Sequence, residues 1–126
     1  TNKVSCENIR RENSLNVEYY THDKTLIVCI GGEIDHHTCK DVKEDIERAY
    51  SKGSYKNMAF DFENVEFMDS SGIGLLMGRV KSAALLGGRV ALYNVSPKVE
   101  RLLNMSGIYK VVRVYKNKVQ ALNDLT

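Results

Sequence analysis

From Thr25 onward the chain alternates short continuous apolar runs with stretches whose apolar residues recur every three or four positions, and this alternation most constrains its fold. Thr25-Leu26-Ile27-Val28-Cys29-Ile30, Met58-Ala59-Phe60-Asp61-Phe62 and Val90-Ala91-Leu92-Tyr93 have the composition of strands covered on both faces. Between them, Cys39, Val42, Ile46, Ala49 and Tyr50 form one helical stripe over residues 35–51. Ile73, Leu76, Met77, Val80, Ala83 and Ala84 form a second over 72–86. Strands joined through helices need crossovers, which are right-handed, so the sheet is predicted to be largely parallel.

Turn residues set the expected boundaries. Gly31-Gly32 ends the first of these strands, with Val65 and Phe67 carrying apolar character into a loop after the second. Gly53 closes the first helix and Gly87-Gly88 stops the second. Ser96-Pro97 starts a third helix, serine as N-cap and proline at the first helical position, and Gly107 ends it. Residues 111–115 read as a last strand, and Val119, Leu122 and Leu125 mark a closing helix. Val17-Glu18-Tyr19-Tyr20 lies too close to Thr25 for a crossover, so that strand pairs antiparallel. Residues 1–13, polar and carrying Arg10-Arg11-Glu12, read as a flexible leader or a short edge element. The expectation is one α/β domain over 14–126, with a mixed, mostly parallel sheet of about five strands and about four helices.

Composition narrows the functional classes. The 126 residues carry 18 Lys and Arg against 16 Asp and Glu, interleaved along the chain, which argues against a nucleic-acid face. No apolar run approaches the roughly 20 residues that span a bilayer, so no membrane partner is expected. Cys6, Cys29 and Cys39 are an odd set with no C-x-x-C pair. They read as buried thiols in a reducing cytoplasm and not as a zinc site.

Function is expected in Phe67-Met68-Asp69-Ser70-Ser71-Gly72-Ile73-Gly74, where a buried strand passes into a helix. Open α/β sheets place their sites at such carboxyl ends. Asp69 or Ser70 can cap the helix, and Ser71 then falls in its first turn, where free amides and the dipole favour an anion. A phosphate of charge about −2 on Ser71 is therefore compatible with the fold and would change the surrounding surface. Asp-Ser-Ser is also an ordinary capping sequence, and small residues here let a helix lie close to a sheet. Gly72, Gly74 and Gly78 match neither a dinucleotide fingerprint nor a P-loop, and Asp69 takes the place of the first glycine of a nucleophile elbow.

Gly32-Glu33-Ile34-Asp35-His36-His37-Thr38-Cys39 forms the other strand-to-helix junction, with Asp35 as a capping candidate. Adjacent histidines point apart on a helix and Cys39 belongs to the inner stripe, so metal binding is not expected. Both junctions of a parallel sheet open on one edge, which places this cluster beside Ser71.

At these residues the sequence resembles the STAS family of anti-sigma factor antagonists. The likeness rests on residues 32–38, on 67–74 with Gly78-Arg79 following, and on Ser96-Pro97 through Arg101-Leu102-Leu103 to Met105-Ser106-Gly107. It runs from about Leu15 to the C-terminus. The Asp-Ser-Ser-Gly segment belongs to the antagonist branch, and the paired histidines favour its sporulation members over the stress-response ones. The resemblance implies a protein that binds an anti-sigma factor, itself a serine kinase, and so frees a sigma factor. It implies phosphorylation by that kinase on Ser71, release of the partner, and resetting by a metal-dependent serine phosphatase. Asp35, His36, His37, Thr38, Asp69, Ser70, Gly72 and Ile73 are the implied partner surface, and no cofactor is implied. Two other readings stand beside it. One is a small hydrolase or phosphotransferase built on Asp69, Ser71 and a histidine, for which the sequence offers neither an oxyanion motif nor a phosphate-cradling loop. The other is a STAS module of a stress-signalling complex or one fused to a transporter.

Overall fold

A computed structural model describes residues 2–3 and 15–125 of the chain. Most of the expected leader at 1–13 lies outside the described residues. Its Asn2–Lys3 forms β1, paired antiparallel with Thr21 and Tyr20. The remaining strands are β2 (Asn16–His22), β3 (Thr25–Ile34), β4 (Asn57–Met68), β5 (Val90–Tyr93) and β6 (Arg113–Tyr115). The helices are α1 (Cys39–Lys52), α2 (Ser70–Leu85), α3 (Pro97–Ser106) and α4 (Lys118–Leu125), with a 3-10 turn at Ile108–Lys110.

The sheet runs β1-β2-β3-β4-β5-β6, antiparallel through β3 and parallel from there on. Each crossover steps one strand in the same direction with the same hand, so α1, α2 and α3 all fall on one face. The main core lies there, with Val17, Tyr19, Val28, Ile30, Phe60, Phe62 and Leu92 of the sheet against Val42, Ile46, Leu75, Leu76, Val99 and Leu103 of the helices. Among the described residues only α4 covers the other face, where Ala121, Leu122 and Leu125 pack on Ile27, Ala59, Ala91 and Tyr93.

Four boundaries differ from the sequence reading. β3 does not end at Gly31-Gly32 but continues to Ile34, and 63–68 is not a loop but the second half of β4. The register shifts between Cys29 and Gly31 and again between Gly32 and Glu33, each time with one more residue on β4 than on β3. These bulges leave Glu63-Asn64 and Glu66-Phe67 as consecutive exposed pairs, which breaks the alternation that marks a strand. α1 starts at Cys39 and not at Asp35, because residues 35–38 form a hydrogen-bonded turn first. The last strand is shorter than 111–115, the 3-10 turn and Val111 preceding it. Val119 and Ala84, counted in apolar stripes, face solvent.

Polar contacts tie the layers. Buried Asp45 of α1 accepts from the Tyr19 hydroxyl on β2 and from Arg48 at 3.1 Å. Arg79 of α2, 4% exposed, faces Glu47 of α1 at 2.7 Å, and the same carboxylate oxygen accepts from Ser82 at 2.7 Å. Burial lowers the Arg79 pKa, and the Glu47 charge opposes that shift. Asn57 donates to the Leu125 carbonyl at 3.2 Å and accepts from the Arg89 amide at 2.8 Å, fixing the end of α4 to the starts of β4 and β5.

The glycines separate fold from surface. A Cβ on Gly88 would collide with the Lys56 carbonyl, and this backbone cannot yield like a side chain. Gly74 and Gly78 have nothing within 4 Å of that position, so they are not the close-packing residues that the sequence suggests. Gly88→Ala is therefore expected to lower stability in urea by about 2 kcal/mol or more, while Gly74→Ala raises it by about 0.5–1 kcal/mol. Equal effects of the two substitutions would contradict this packing.

Candidate functional site

The continuation of β3 and β4 past their bulges brings the two junctions together. Ile34 pairs with Met68 at the ends of the strands, and the Asp69 amide donates to the Ile34 carbonyl at 3.1 Å. Gly72, buried in the first turn of α2, closes this contact, since a Cβ there would strike Met68 and approach Ile34 at 3.4 Å.

Asp69 is the N-cap of α2, resolving the choice between Asp69 and Ser70. Its backbone is extended, and its carboxylate accepts from the Ser71 amide at 2.8 Å. Ser70 is exposed and Ser71 half-buried, and the Ser71 hydroxyl makes no hydrogen bond among the described residues. The hydroxyl stands in the first turn of a 16-residue helix, at the positive end of its dipole and beside the Asp69 carboxylate that caps it. Ile73 is half-buried and packs on the main core.

Across the junction, Asp35 organises the turn into α1. Its carboxylate accepts from the amides of His37 at 2.9 Å and Thr38 at 3.1 Å, and its carbonyl accepts from Thr38 and Cys39. Some desolvation would raise its pKa, but those two amides with the nearby His37 outweigh it and hold the carboxyl below its ordinary value. Thr38 is buried, its hydroxyl accepting from the Asp35 amide and donating to the Asp35 carbonyl, both at 3.1 Å, so it serves the turn. His36 and His37 are exposed and their rings lie 3.9 Å apart, which corrects the expectation that they point away from each other on a helix. Even so, no group of three His, Cys, Asp or Glu among the described residues is placed to hold a metal. The Cys39 thiol is pushed up to about 11, first by burial and then by the Asp69 and Asp35 carboxylates, an electrostatic sign that the two junctions face each other. Among the described residues neither histidine ring hydrogen-bonds Ser70 or Ser71.

The patch thus presents Ser70, Ser71, Gly74, His36 and His37 at one edge of the sheet, with Phe67, 41% exposed, at its rim. The sequence pattern places Phe67 in a loop and Gly74 among packing residues, whereas the structure puts both at the surface. The only signal that could have exposed Phe67 is the Glu-Phe doublet after Val65, which a bulge explains in retrospect. Among the described residues no helix is long and apolar enough to cross a membrane.

Known proteins share this fold. The STAS domain family matches residues 16–121. The anti-sigma F factor antagonist of Paenibacillus polymyxa is 39% identical over 112 residues, 89% of this chain and 96% of that protein. The anti-sigma-B factor antagonist of Staphylococcus aureus is 31% identical over 101 residues, 80% of this chain and 93% of that one. The anti-sigma factor antagonist SpoIIAA has been solved unphosphorylated, at 28% identity and TM-score 0.74 over 86% of this chain and 94% of that one. Its phosphorylated form superposes at 27% identity and TM-score 0.67, over 87% of this chain and 99% of that one. The chain belongs to the STAS domain family, among its anti-sigma factor antagonists.

Two outcomes follow from the caps. Asp69→Ala is expected to cost about 1 kcal/mol, read as a lowered urea midpoint with unchanged slope. Asp35, with its pKa depressed by folding, contributes stability that is present above the ordinary aspartate range and lost as pH falls through the depressed value. A carboxyl-carbon NMR titration should place the Asp35 midpoint below about 3.9, and Asp35→Ala should remove that part of the acid dependence.

Proposed function

We propose that this chain is an anti-sigma factor antagonist whose Ser71 is the switch. Unphosphorylated, it binds an anti-sigma factor that is also a serine kinase, and the sigma factor is thereby released. Phosphorylation of Ser71 by that kinase ends the complex, and a metal-dependent serine phosphatase restores it. The chain acts by binding and not by catalysis. The observation that carries this reading is the half-buried Ser71 hydroxyl, unengaged by its neighbours, in the first turn of α2 and beside the turn at 35–38. A relative named as an anti-sigma F factor antagonist and a neighbour solved in both phosphorylation states support it.

The energetics are consistent. Ser71 lies at the positive end of the α2 dipole, which favours a phosphate there, and the modification adds charge at the helix start without entering the core. A partner docked over Ser71 has no such freedom. It must desolvate the phosphate, at a cost of several kcal/mol, enough to dissociate a complex of micromolar or weaker affinity. Asp35, His36, His37, Thr38, Asp69, Ser70, Gly72 and Ile73 make up the proposed docking surface. Within it Thr38 and Gly72 act by shaping the backbone, and the exposed histidines and Ser70 are the groups a partner can touch. Sporulation is the proposed setting and the cytoplasm the proposed compartment. The half-buried thiols of Cys29 and Cys39, unpaired and raised in pKa, suit a reducing environment. The identity to an anti-sigma-B factor antagonist makes a stress-response setting the second reading.

Intact-mass spectrometry of the wild type and Ser71→Ala, after incubation with the cognate kinase and ATP, tests the proposal. One added phosphate on the wild type and none on Ser71→Ala is expected, with Ser71→Ala still binding and Ser71→Glu weakened at least ten-fold, about 1.4 kcal/mol. Phosphate appearing on Ser71→Ala would move the switch to another residue, Ser70 first.

A further inference from the structure

The parallel strands begin along one edge of the sheet, at Thr25 in β3, Asn57 in β4, Val90 in β5 and Arg113 in β6. Helices that join parallel strands run back the other way, so α1, α2 and α3 end at this same edge, at Lys52, Leu85 and Ser106. The amino edge thus lies across the molecule from Ser71. Backbone hydrogen bonds tie its loops into one ledge. The Lys56 amide donates to the Lys24 carbonyl at 2.7 Å, and the Met58 amide donates to the Arg89 carbonyl at 3.0 Å.

Apolar side chains are left uncovered on that ledge. Of the six large hydrophobic residues exposed among the described ones, Leu85, Leu86, Met105 and Val111 stand here and only Phe67 and Val119 elsewhere. Leu85, the last residue of α2, is 86% exposed and Leu86 follows it, while Met105 in the last turn of α3 is 80% exposed. They project from the ends of helices, where packing on the core has run out.

Cations surround them. Lys24, Lys56 and Arg89 immediately precede β3, β4 and β5, Lys52 ends α1, and Lys110 and Arg113 stand on either side of Val111. The facing carboxylates are Asp23 beside His22, Asp124 opposite Arg89 and Arg113, and Glu100, which shares a depression with Arg89, Lys110 and Arg113. Lys24, Lys52, Lys56 and Lys110 form no ion pair among the described residues. Helix carbonyl ends attract cations, which accounts for part of this charge, but that attraction gives no reason to leave two adjacent leucines in water. The carboxyl edge instead carries Glu33, Asp35, Glu63, Glu66 and Asp69, so charge is polarised along the strand direction.

The combination selects an occupant. A second copy placed edge to edge would set like charges against each other, and a nucleic acid offers nothing to a projecting leucine. Apolar side chains ringed by lysines match the boundary of an anionic bilayer, where the former enter between headgroups and the latter meet phosphates. Such a contact is peripheral and needs no spanning helix.

We propose that the amino edge of the sheet docks on an anionic lipid surface through Leu85, Leu86, Met105 and Val111, with Lys24, Lys56 and Lys110 as its charged rim. Ser71 and the turn at 35–38 then face away from the lipid, so docking leaves them accessible and does not depend on the proposed switch.

The test is co-sedimentation of the full chain with sucrose-loaded vesicles of phosphatidylcholine, alone or mixed in equal parts with phosphatidylglycerol. Partition onto the mixed vesicles and not onto phosphatidylcholine is expected, and it should fall as salt rises. Leu85→Ser with Leu86→Ser, and separately Lys56→Gln with Lys110→Gln, should each lower the partition coefficient by about ten-fold, each variant keeping a cooperative urea transition. Val119→Ser, at the end of α4 remote from Asn57, should leave it unchanged. No partition onto the mixed vesicles, or partition that neither double substitution lowers, would overturn the proposal. A dimer sedimenting without vesicles, and abolished by the leucine substitutions, would overturn it in favour of a second copy on this edge. Binding to soluble poly-L-glutamate that exceeds binding to the vesicles, and that the leucine substitutions weaken, would overturn it in favour of an acidic protein.

Discussion

The parallel pairing of β3 with β4 is the contact on which the rest of the molecule depends. Five register pairs run from Thr25–Asn57 to Cys29–Asp61, and four more continue past two bulges to Ile34–Met68. Without those bulges the strands would diverge at Gly31, and the turn at 35–38 and the start of α2 would have no common support. With them, one hydrogen bond from the Asp69 amide to the Ile34 carbonyl closes the seam. Placement of the Ser71 hydroxyl is thus a property of a strand pair in the middle of the sheet, and both helix starts inherit their position from it.

The same sequential order explains the unequal faces. Three crossovers of one hand deposit α1, α2 and α3 on one side, which gathers most of the apolar surface into a single core. The Glu47–Arg79 pair then clasps α1 to α2 two turns below the functional edge. An arginine at 4% exposure, with one carboxylate opposite it among the described residues, contributes little net stability but strongly penalises separation of the two helices. On the other side, among the described residues, the eight residues of α4 cover what three helices cover in front, and the carboxylates of Glu18 on β2 and of Asp61 and Glu66 on β4 stay in contact with water.

Much of this was legible in the sequence because periodicity and end signals agreed. Ser96-Pro97 caps α3 as read, with the Ser96 side chain accepting from Val99, and Gly107 adopts the left-handed conformation that ends it. The segment proposed as the switch stands out in the sequence because a strand, a capping acid and a helix follow one another within four residues. The second half of β4 was not legible, since each bulge places two neighbouring residues on the solvent side and no alternation survives. Nor was the role of Gly72 separable from that of Gly74. Both are small residues in one turn, and only the distance to Met68 and Ile34 makes one a packing residue and the other a surface. The cations of the amino edge were invisible for a different reason, as Lys24, Lys56, Arg89 and Arg113 are scattered over more than half the chain and meet only where their strands begin.

The glycines of α2 have one more implication. Along its solvent side the helix offers bare backbone at Gly74 and Gly78, a smooth ridge with almost no chemical identity. Such a ridge admits any partner of complementary shape and can reject few, because discrimination requires groups that clash or go unpaired when the wrong molecule arrives. In the proposed docking surface the burden of telling one partner from another therefore falls on the neighbouring turn, where the tilted rings of His36 and His37 supply the individuality that the helix lacks. Paralogues in one cell could share the ridge unchanged and still keep their signals apart by what they carry at those two positions.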